Sequence, residues 1–292
     1  SRVYAKQWTQ TLEDYAYPVI GALDVGHVET PHVIKILEPI WTTKIDTATK
    51  LRGRIESIMS WAKASHHRTG ENPARWKGHL DQLLARPSKL SVVKHHEAIT
   101  SDDLPAFMAE LRGMSSISAM ALEFTILTAA RTGETIGAID AEIDTDTKVW
   151  IIPADRMKGS REHRVPLCPR AIEIIRTVPR LQGNPYLFAG AKTGRGLSNM
   201  AMLELLKGMD GYASLTVHGF RSTFRDWAGD RTRFPREVIE QALAHKLKDQ
   251  VEAAYRRSDA LEKRRALMIA WQGFCASTPV AKGENVTPFR AA

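Results

Sequence analysis

The chain has 292 residues, of which 43% are hydrophobic and only two are cysteine, and its formal net charge is +8. This length and apolar content predict a soluble globular protein with two domains and exclude a disordered chain. The two cysteines lack metal-ligand spacing and are interpreted as free thiols in a reduced cytosolic interior. No apolar run reaches the roughly 18 residues that a membrane span needs.

Residues 1–85 are predicted to be helical throughout. Apolar side chains recur at helical spacing within 47–67, and further helices are expected over 6–17, ending before Pro18, and over 31–39. The apolar stripe of the long helix consists of Leu51, Ile55, Ile58, Met59 and Ala62. Cations cover its other faces, and two interpretations remain open for them: a solvated surface, or a helix that contacts phosphates.

Residues 86–98 show no helical stripe and contain Pro87 and mixed charges, which predicts a linker. A second domain is expected to begin at residue 99, because Thr100 and Asp103 form a capping-box-like helix start. The predicted organisation is a helical unit over 1–85, a linker over 86–98, a second domain over 99–275 and a tail over 276–292.

The second domain is predicted to combine many helices with two short strands. Residues 148–153 and 163–167 have the composition of strands, and Lys158 and Gly159 lie in the turn between them. Further helices are expected over 116–131, 169–177, 198–210, 216–230, 235–244, 248–257 and 260–275. The predicted fold class is therefore mainly α with a small antiparallel β-sheet, in two domains.

A set of cations and one hydroxyl in the second domain carries the candidate chemistry. The set consists of Arg131, Lys158, His218, Arg221, His245 and Tyr255. The acidic residues over 140–146 are interpreted as a solvated loop, not as a metal cage. Such a set suits phosphoryl transfer by a protein nucleophile, because cations stabilise the negative charge that grows on a phosphate in the transition state. The positive net charge favours a polyanionic partner without identifying it.

Each of these residues also has an ordinary structural explanation. An arginine at a helix end complements the helix dipole, and a lysine in a hairpin turn is usually solvated. A histidine at a helix start is often half-buried, and a tyrosine on an amphipathic helix usually lies at the edge of a core. It is their order and their sequence context that favour a shared site.

That order resembles the tyrosine recombinase (phage integrase) family, and in particular the integrases of satellite phages, prophages and genomic islands. The matching motifs are ARTGE around Arg131, the hairpin lysine, H-x-x-R in VHGFR, LAH ending at His245, and a tyrosine ten residues later. The resemblance is strong over 99–275. It extends to 1–95 only through size, helical character and position, which match the core-binding domain of the family.

The resemblance implies a role for each matching residue. Arg131 and Arg221 would clamp the two non-bridging oxygens of a DNA phosphate, with Glu134 supporting the first arginine. His245 would hydrogen-bond a non-bridging oxygen.

Three further roles complete the implied mechanism. Tyr255 would be the nucleophile, and His218 and the arginines would favour its phenolate or accept its proton. Lys158, at the tip of the hairpin, would be the general acid for the departing 5′-oxygen.

Two positions depart from the family pattern. Ala244 replaces the usual glycine before the histidine, which is a small-for-small change. Thr135 stands where a leucine normally follows the acidic residue, and Ile136 is expected to fill that packing role. Neither position carries the chemistry.

The resemblance implies a site-specific DNA recombinase that works through a 3′-phosphotyrosine and so integrates or excises a mobile element. The expected partner is double-stranded DNA at attachment sites, bound by a homotetramer with accessory DNA-bending proteins. No cofactor, metal or membrane is expected, and the expected location is the prokaryotic cytoplasm, on the nucleoid. An arm-binding domain is expected upstream of Ser1.

Two alternative functions remain open at this point. A type IB topoisomerase has the same nucleophile and similar cations but relaxes supercoils as a monomer. A non-catalytic DNA-binding regulator belongs to a different class, and the presence of all six candidate side chains argues against it.

Overall fold

The computed structural model describes residues 2–90, 97–245 and 259–278. The chain divides into two compact units, 1–94 and 95–292, and each has a hydrophobic core of its own. The structure is mostly helical with one three-stranded antiparallel sheet, which confirms the predicted fold class. In the described part of the chain, no helix is both long enough and apolar enough to cross a membrane.

Helix is the only regular secondary structure in the described residues of the first unit. Its helices are α1 (Arg2–Thr11), α2 (Tyr17–Ile20), α3 (Thr30–Trp41), α4 (Ile45–Ala64) and α5 (Pro87–Leu90). Helices α3 and α4 pack against each other, and the predicted apolar stripe of α4 lies largely in the core. Of the cations on α4, Arg54 is buried and donates to the carbonyl of Gln7, so this residue has a structural role.

Two prolines do not end helices where the sequence predicts. The first helical segment does not stop before Pro18, because a π-helical turn over Leu12–Ala16 leads into α2, and Pro18 occupies the first turn of α2. A proline is tolerated there because the first amides of a helix need no intrahelical acceptor. Helix α3 likewise continues through Pro39 to Trp41, because burial of its apolar face outweighs the lost hydrogen bond.

The second unit combines eight helices and three strands over its described residues. The helices are α6 (Leu104–Arg112), α7 (Ile117–Thr128), α8 (Thr132–Ile136), α9 (Pro169–Thr177), α10 (Ala201–Gly208), α11 (Gly219–Arg231), α12 (Arg236–Ala242) and α13 (Leu261–Cys275). The strands are β1 (Ile143–Asp144), β2 (Val149–Ile152) and β3 (His163–Pro166). The helix predicted over 248–257, which would carry Tyr255, lies outside the described residues, as does the predicted tail beyond residue 278.

The sheet has the order β1-β2-β3, and the predicted hairpin forms its larger part. Val149 pairs with Pro166 and Ile152 pairs with His163. Strand β1 was not predicted, and the solvated loop predicted over 140–146 is wrong at one of its acidic residues. Glu142 is buried and accepts hydrogen bonds from Trp150 and Arg156, so it is a structural carboxylate and not a solvated one.

Helix α7 is the centre of the second unit. It is apolar around most of its circumference and packs against α6, α9, α10 and α13. Ser116 caps its start by accepting from the backbone N–H of Ala119. Trp271 of α13 is fully buried against Phe224 and Trp227, and its indole N–H donates to the carbonyl of Ile126 at 2.8 Å.

The segment that enters the second unit is fixed against α11. Thr223 donates to the carbonyl of Ile99 at 2.6 Å, and Arg231 pairs with Asp102. A Cβ at Gly219 would lie 2.5 Å from the carbonyl oxygen of Glu97, so only glycine allows this approach. The start of α11, which carries the arginine of the H-x-x-R motif, is therefore in direct contact with the segment at 97–102.

We predict that Trp271→Ala lowers the free energy of unfolding of the second unit by about 3–5 kcal/mol, because it leaves a large cavity and removes the hydrogen bond from the indole to the carbonyl of Ile126. Trp61→Ala is the control, since Trp61 is 63% exposed and its removal creates no cavity. Thermal and urea unfolding followed by circular dichroism measures both. A loss below about 1 kcal/mol for Trp271→Ala would contradict the central role of α13.

Candidate active site

Helices α7 and α12 end in the same backbone motif. At the end of α7, Ala129 N–H donates to Ile126 and Ala130 N–H donates to Thr125, and Ala129 has a φ of +50°. This pair of bonds with one left-handed residue is the Schellman motif, which favours glycine at the left-handed position.

The same arrangement closes α12 just before His245. Ala244 N–H donates to Gln241, His245 N–H donates to Glu240, and Ala244 has a φ of +49°. Glycine would adopt this φ without steric cost, whereas Ala244 places a Cβ in the left-handed region.

Arg221 joins these two helix ends. Its Nη1 donates to the carbonyl of Ala129, and its Nη2 donates to the carbonyl of Leu243 at 2.7 Å. These carbonyls carry the partial negative charge of helix C-termini and so stabilise a buried cation. Arg221 is only 5% exposed.

Arg131 approaches one of these two carbonyls, that of Leu243. Its Nη2 is 3.4 Å from the oxygen of Leu243, and its Nη1 pairs with Glu134 at 2.7 Å. Glu134 also accepts the backbone N–H of Arg131 at 2.8 Å, at the start of α8. The carboxylate thus orients the arginine through both its side chain and its backbone.

The two guanidinium groups repel each other in this arrangement. Burial, and next the charge of Arg131, lower the pKa of Arg221 to about 10, whereas Glu134 raises it. Arg221 remains a cation at neutral pH, but with less stabilisation than in water. Its buried Nε–H has no hydrogen-bond acceptor among the described residues. Both features favour binding of an anion beside the arginines.

His245 completes this cluster. Its Nε2 lies 3.4 Å from Nη2 of Arg221, and its Nδ1 lies 2.5 Å from Oε2 of Glu240. The side chain of His245 is 39% exposed, so the cluster is accessible to solvent. The structure therefore brings Arg131, Arg221, Glu134 and His245 together.

Lys158 and His218 occupy more exposed positions. Lys158 lies in the turn between β2 and β3, where the sequence places it, and its side chain is exposed. His218 is the N-cap residue of α11, one turn before Arg221, and is exposed as well. The H-x-x-R spacing thus places one side chain at the start of the helix and the other in its buried first turn.

Tyr255 lies outside the described residues, but the chain on both sides of it is anchored. His245 precedes the segment, and Asp259 follows Tyr255 by four residues. Arg264, which is 2% exposed, donates to the backbone carbonyl of Asp259 at 2.7 Å and to the carbonyl of Arg164 on β3 at 2.5 Å. These bonds tie the chain after Tyr255 to the sheet.

Two further residues near the cluster were missed by the sequence analysis. His163 on β3 is half-buried, and desolvation together with the charge of Arg264 lowers its pKa to about 4, so it is neutral at physiological pH. Arg156 pairs with Glu142 and donates to the carbonyl of Glu134 at 2.5 Å, which ties the start of the hairpin loop to α8. The only sequence signal for either residue is its closeness in the chain to the hairpin lysine.

The arrangement can bind an anion with two guanidinium groups and an imidazole, and it can stabilise additional charge on that anion. Among the described residues, no group of three or more histidine, cysteine, aspartate or glutamate side chains could hold a metal ion. Both cysteines are buried, and burial raises the pKa of each thiol, that of Cys168 to about 11, so neither is a reactive thiolate.

Comparison with known proteins gives consistent matches over the whole chain. Residues 97–262 match the phage integrase family, and residues 1–79 match the phage integrase central domain.

Prophage integrase IntA of Escherichia coli (strain K12) is 32% identical over 273 residues, which cover 92% of this chain and 64% of IntA. Prophage integrase IntZ of the same strain is 31% identical, covering 99% of this chain and 70% of IntZ. The integrase of Enterobacteria phage P4 is 28% identical, covering 90% and 63%. The chain thus spans roughly two thirds of the length of these relatives.

Solved structures share the fold at low sequence identity. A lambda integrase dimer bound to a COC′ core site superposes with a TM-score of 0.63 and 15% identity, covering 85% of this chain and 89% of that chain. A lambda integrase tetramer on a Holliday junction gives a TM-score of 0.63 and 14% identity, covering 89% and 73%. The Tn1549 transposon integrase in complex with circular intermediate DNA gives a TM-score of 0.61 and 13% identity, covering 91% and 92%.

We predict that Ala244→Gly raises the free energy of unfolding of the second unit by about 1 kcal/mol, because glycine removes the steric cost of a Cβ at positive φ. Ala109→Gly, at an exposed position inside right-handed α6, is the matched control and should lower it by about 0.5–1 kcal/mol. Urea unfolding of the two variants against the parent chain measures both. Equal destabilisation by the two substitutions would contradict the left-handed assignment of Ala244.

Proposed function

Because this chain belongs to the phage integrase family, we propose that it is a site-specific DNA recombinase that cleaves and rejoins DNA through a 3′-phosphotyrosine and so integrates or excises a mobile element. The observation that carries the proposal is the convergence of Arg131, Arg221 and His245 at the ends of two helices. The named relatives, which are prophage and phage integrases, support it.

The proposed role of the arginine pair is to clamp the scissile phosphate. Each guanidinium offers a planar fork of donors to one non-bridging oxygen. The pentacovalent transition state carries one more negative charge than the ground-state diester, so the clamp binds it more tightly and lowers the barrier. The mutual repulsion of Arg131 and Arg221 adds to this preference, because an anion between them relieves it.

The proposed nucleophile is Tyr255, in the segment between His245 and Asp259. Attack of its phenolate on phosphorus forms a phosphotyrosine and breaks the bond to the 5′-oxygen of the next nucleotide. The phosphotyrosine keeps the energy of the broken diester, so rejoining to a 5′-hydroxyl needs no nucleotide cofactor. His218, exposed at the start of α11, is the proposed proton acceptor for the phenol.

Lys158 is the proposed general acid. The 5′-alkoxide is a poor leaving group until it is protonated, and an ammonium group at the tip of a hairpin can reach it from the minor groove. The bond from Arg156 to the carbonyl of Glu134 ties the start of the hairpin loop to α8, which begins next to Arg131, whereas Lys158 at the tip is exposed. The proposed mechanism uses no divalent ion, because the guanidinium groups supply the charge stabilisation that metals provide in many phosphoryl transfers.

The proposed partner is double-stranded DNA at attachment sites, and the proposed assembly on it is a homotetramer. Lambda integrase, which shares the fold, forms a dimer on a core site and a tetramer on a Holliday junction. We propose that residues 1–85 form the core-binding domain, 86–98 the linker, 99–275 the catalytic domain and 276–292 a tail. Accessory DNA-bending proteins and action on the nucleoid belong to the same proposal. The two alternatives, a relaxing topoisomerase and a non-catalytic regulator, gain no support from the named relatives.

We predict that the native chain forms a covalent adduct with a nicked attachment-site duplex, with and without excess chelator, and that Tyr255→Phe abolishes the adduct while DNA binding persists. This variant keeps the aromatic ring but lacks the nucleophilic oxygen. Denaturing gels detect the adduct, and mobility shifts measure binding. Tyr15→Phe, in the first unit, is the matched control and should leave the adduct intact. An adduct with Tyr255→Phe would assign the nucleophile to another residue.

We also predict that Lys158→Ala slows cleavage by about 10²–10⁴-fold and that sulfur in place of the bridging 5′-oxygen restores most of the rate, because a thiolate leaves without a proton. Arg221→Ala should lose about 10²-fold or more and regain little on the same substrate, since its defect concerns the non-bridging oxygens. Single-turnover rates on the two substrates measure both effects. Equal rescue of the two variants would assign Lys158 to DNA anchoring.

A further inference from the structure

Glu240 lies next to the arginine cluster, although it has no part in the mechanism proposed above. Its side chain is 15% exposed. One carboxylate oxygen, Oε2, lies 2.5 Å from Nδ1 of His245. The other, Oε1, accepts from Nε of Arg225 at 2.9 Å, and Nε of Arg236 lies 4.0 Å from it.

The backbone reinforces these side-chain contacts. The carbonyl of Glu240 accepts the N–H of His245 at 3.0 Å, as part of the Schellman motif that ends α12. Arg225 lies one turn after Arg221 on α11, so the two arginines reach the same helix end from the same face. Glu240 therefore holds both the main chain and the imidazole of His245.

We propose that Glu240 is a positioning residue: anchored by Arg225, it holds His245 with its Nδ1–H toward the carboxylate and its Nε2 toward Arg221 and the phosphate. The consequence for catalysis rests on the function proposed above, in which His245 contacts the scissile phosphate. Burial raises the pKa of the Glu240 carboxyl, but the hydrogen bonds from His245 and Arg225 outweigh burial and hold it below its usual value. The carboxylate is therefore ionised at neutral pH.

This arrangement determines how His245 can act on a phosphate. When Nδ1 donates to Glu240, the neutral ring presents Nε2 as an acceptor, which suits the guanidinium of Arg221 in the absence of DNA. To donate from Nε2 to a phosphate oxygen, the ring must take up a second proton, and the carboxylate of Glu240 stabilises the resulting charge. The bond to phosphate is then charge-assisted, which makes it about twice as strong as a neutral one.

The substitution Glu240→Gln tests this geometry because its outcome is determined by Arg225. An arginine has donors but no acceptor, so the carbonyl oxygen of the new amide must face Arg225. The NH₂ group then faces Nδ1 of His245 and forces that nitrogen to be an acceptor. A neutral ring has only one acceptor nitrogen, so it keeps the shorter contact with residue 240, gives up the 3.4 Å contact with Arg221 and moves its proton to Nε2, the opposite tautomer.

Long-range ¹H–¹⁵N correlation spectra of the full chain, labelled at histidine, measure the tautomer, and His245→Gln identifies the His245 signals by their loss. We expect the Nδ1-protonated or doubly protonated pattern in the native chain and the neutral Nε2-protonated pattern in Glu240→Gln. Glu204→Gln is the matched control, because Glu204 forms an exposed pair with Lys207 in the same unit. An unchanged His245 pattern in Glu240→Gln, or the Nε2-protonated pattern already in the native chain, would overturn the proposal.

Adduct formation on the nicked duplex gives the second readout. We expect Glu240→Gln to slow the single-turnover rate about tenfold at saturating protein, with unchanged DNA affinity, because a neutral donor replaces a charge-assisted one. Glu204→Gln should match the native chain in both rate and affinity. A native rate in Glu240→Gln despite the altered tautomer would overturn the catalytic consequence. If the native chain itself forms no adduct, the proposed recombinase function fails, and the spectra still decide whether Glu240 positions His245.

Discussion

The candidate site depends on one buried cation held between two helix ends. Arg221 is almost completely buried, and a guanidinium in such a position is unstable unless acceptors surround it. The carbonyls of Ala129 and Leu243 supply the acceptors, and each lies at the C-terminal end of a helix, where the dipole adds partial negative charge. Because these two residues adjoin Arg131 and His245, the contacts that stabilise Arg221 also set the spacing of the candidate catalytic groups.

The same contacts hold two mutually repelling cations close together before any substrate is bound. Arg131 and Arg221 share the carbonyl of Leu243, and their repulsion lowers the pKa of Arg221. The carboxylate of Glu134 offsets part of this positive charge through its pair with Arg131. The carboxylate of Glu240 lies against the imidazole of His245. Preorganised charge of this kind is costly in the free protein and favourable when an anion enters, which is the balance that electrostatic catalysis requires.

The second unit also anchors the chain on both sides of the segment that carries Tyr255. Before it, the Schellman motif and Glu240 hold His245. After it, Arg264 binds Asp259 and the edge of β3. Fixed ends limit how far from them any residue of this segment, the proposed nucleophile included, can lie.

The sequence by itself determined the features that repeat locally. Helical periodicity predicted most helices to within a few residues, and strand composition predicted the hairpin with Lys158 at its turn, because both signals arise between residues close in the chain. Prediction from the sequence failed where burial overrides a local preference. Pro18 and Pro39 lie within helical segments, and Glu142 is buried instead of solvated.

The tertiary structure alone decided which of the candidate residues meet. Arg131, Arg221 and His245 are joined through the carbonyl of Leu243 and through Nε2 of His245, across more than a hundred residues of chain. The motifs named these residues, but the carbonyls that hold them, and partners such as Glu240, have no signature in the sequence. The physical reason is that a buried charge is stabilised by whichever polar groups the packing of distant helices places around it, and that packing is a property of the whole fold.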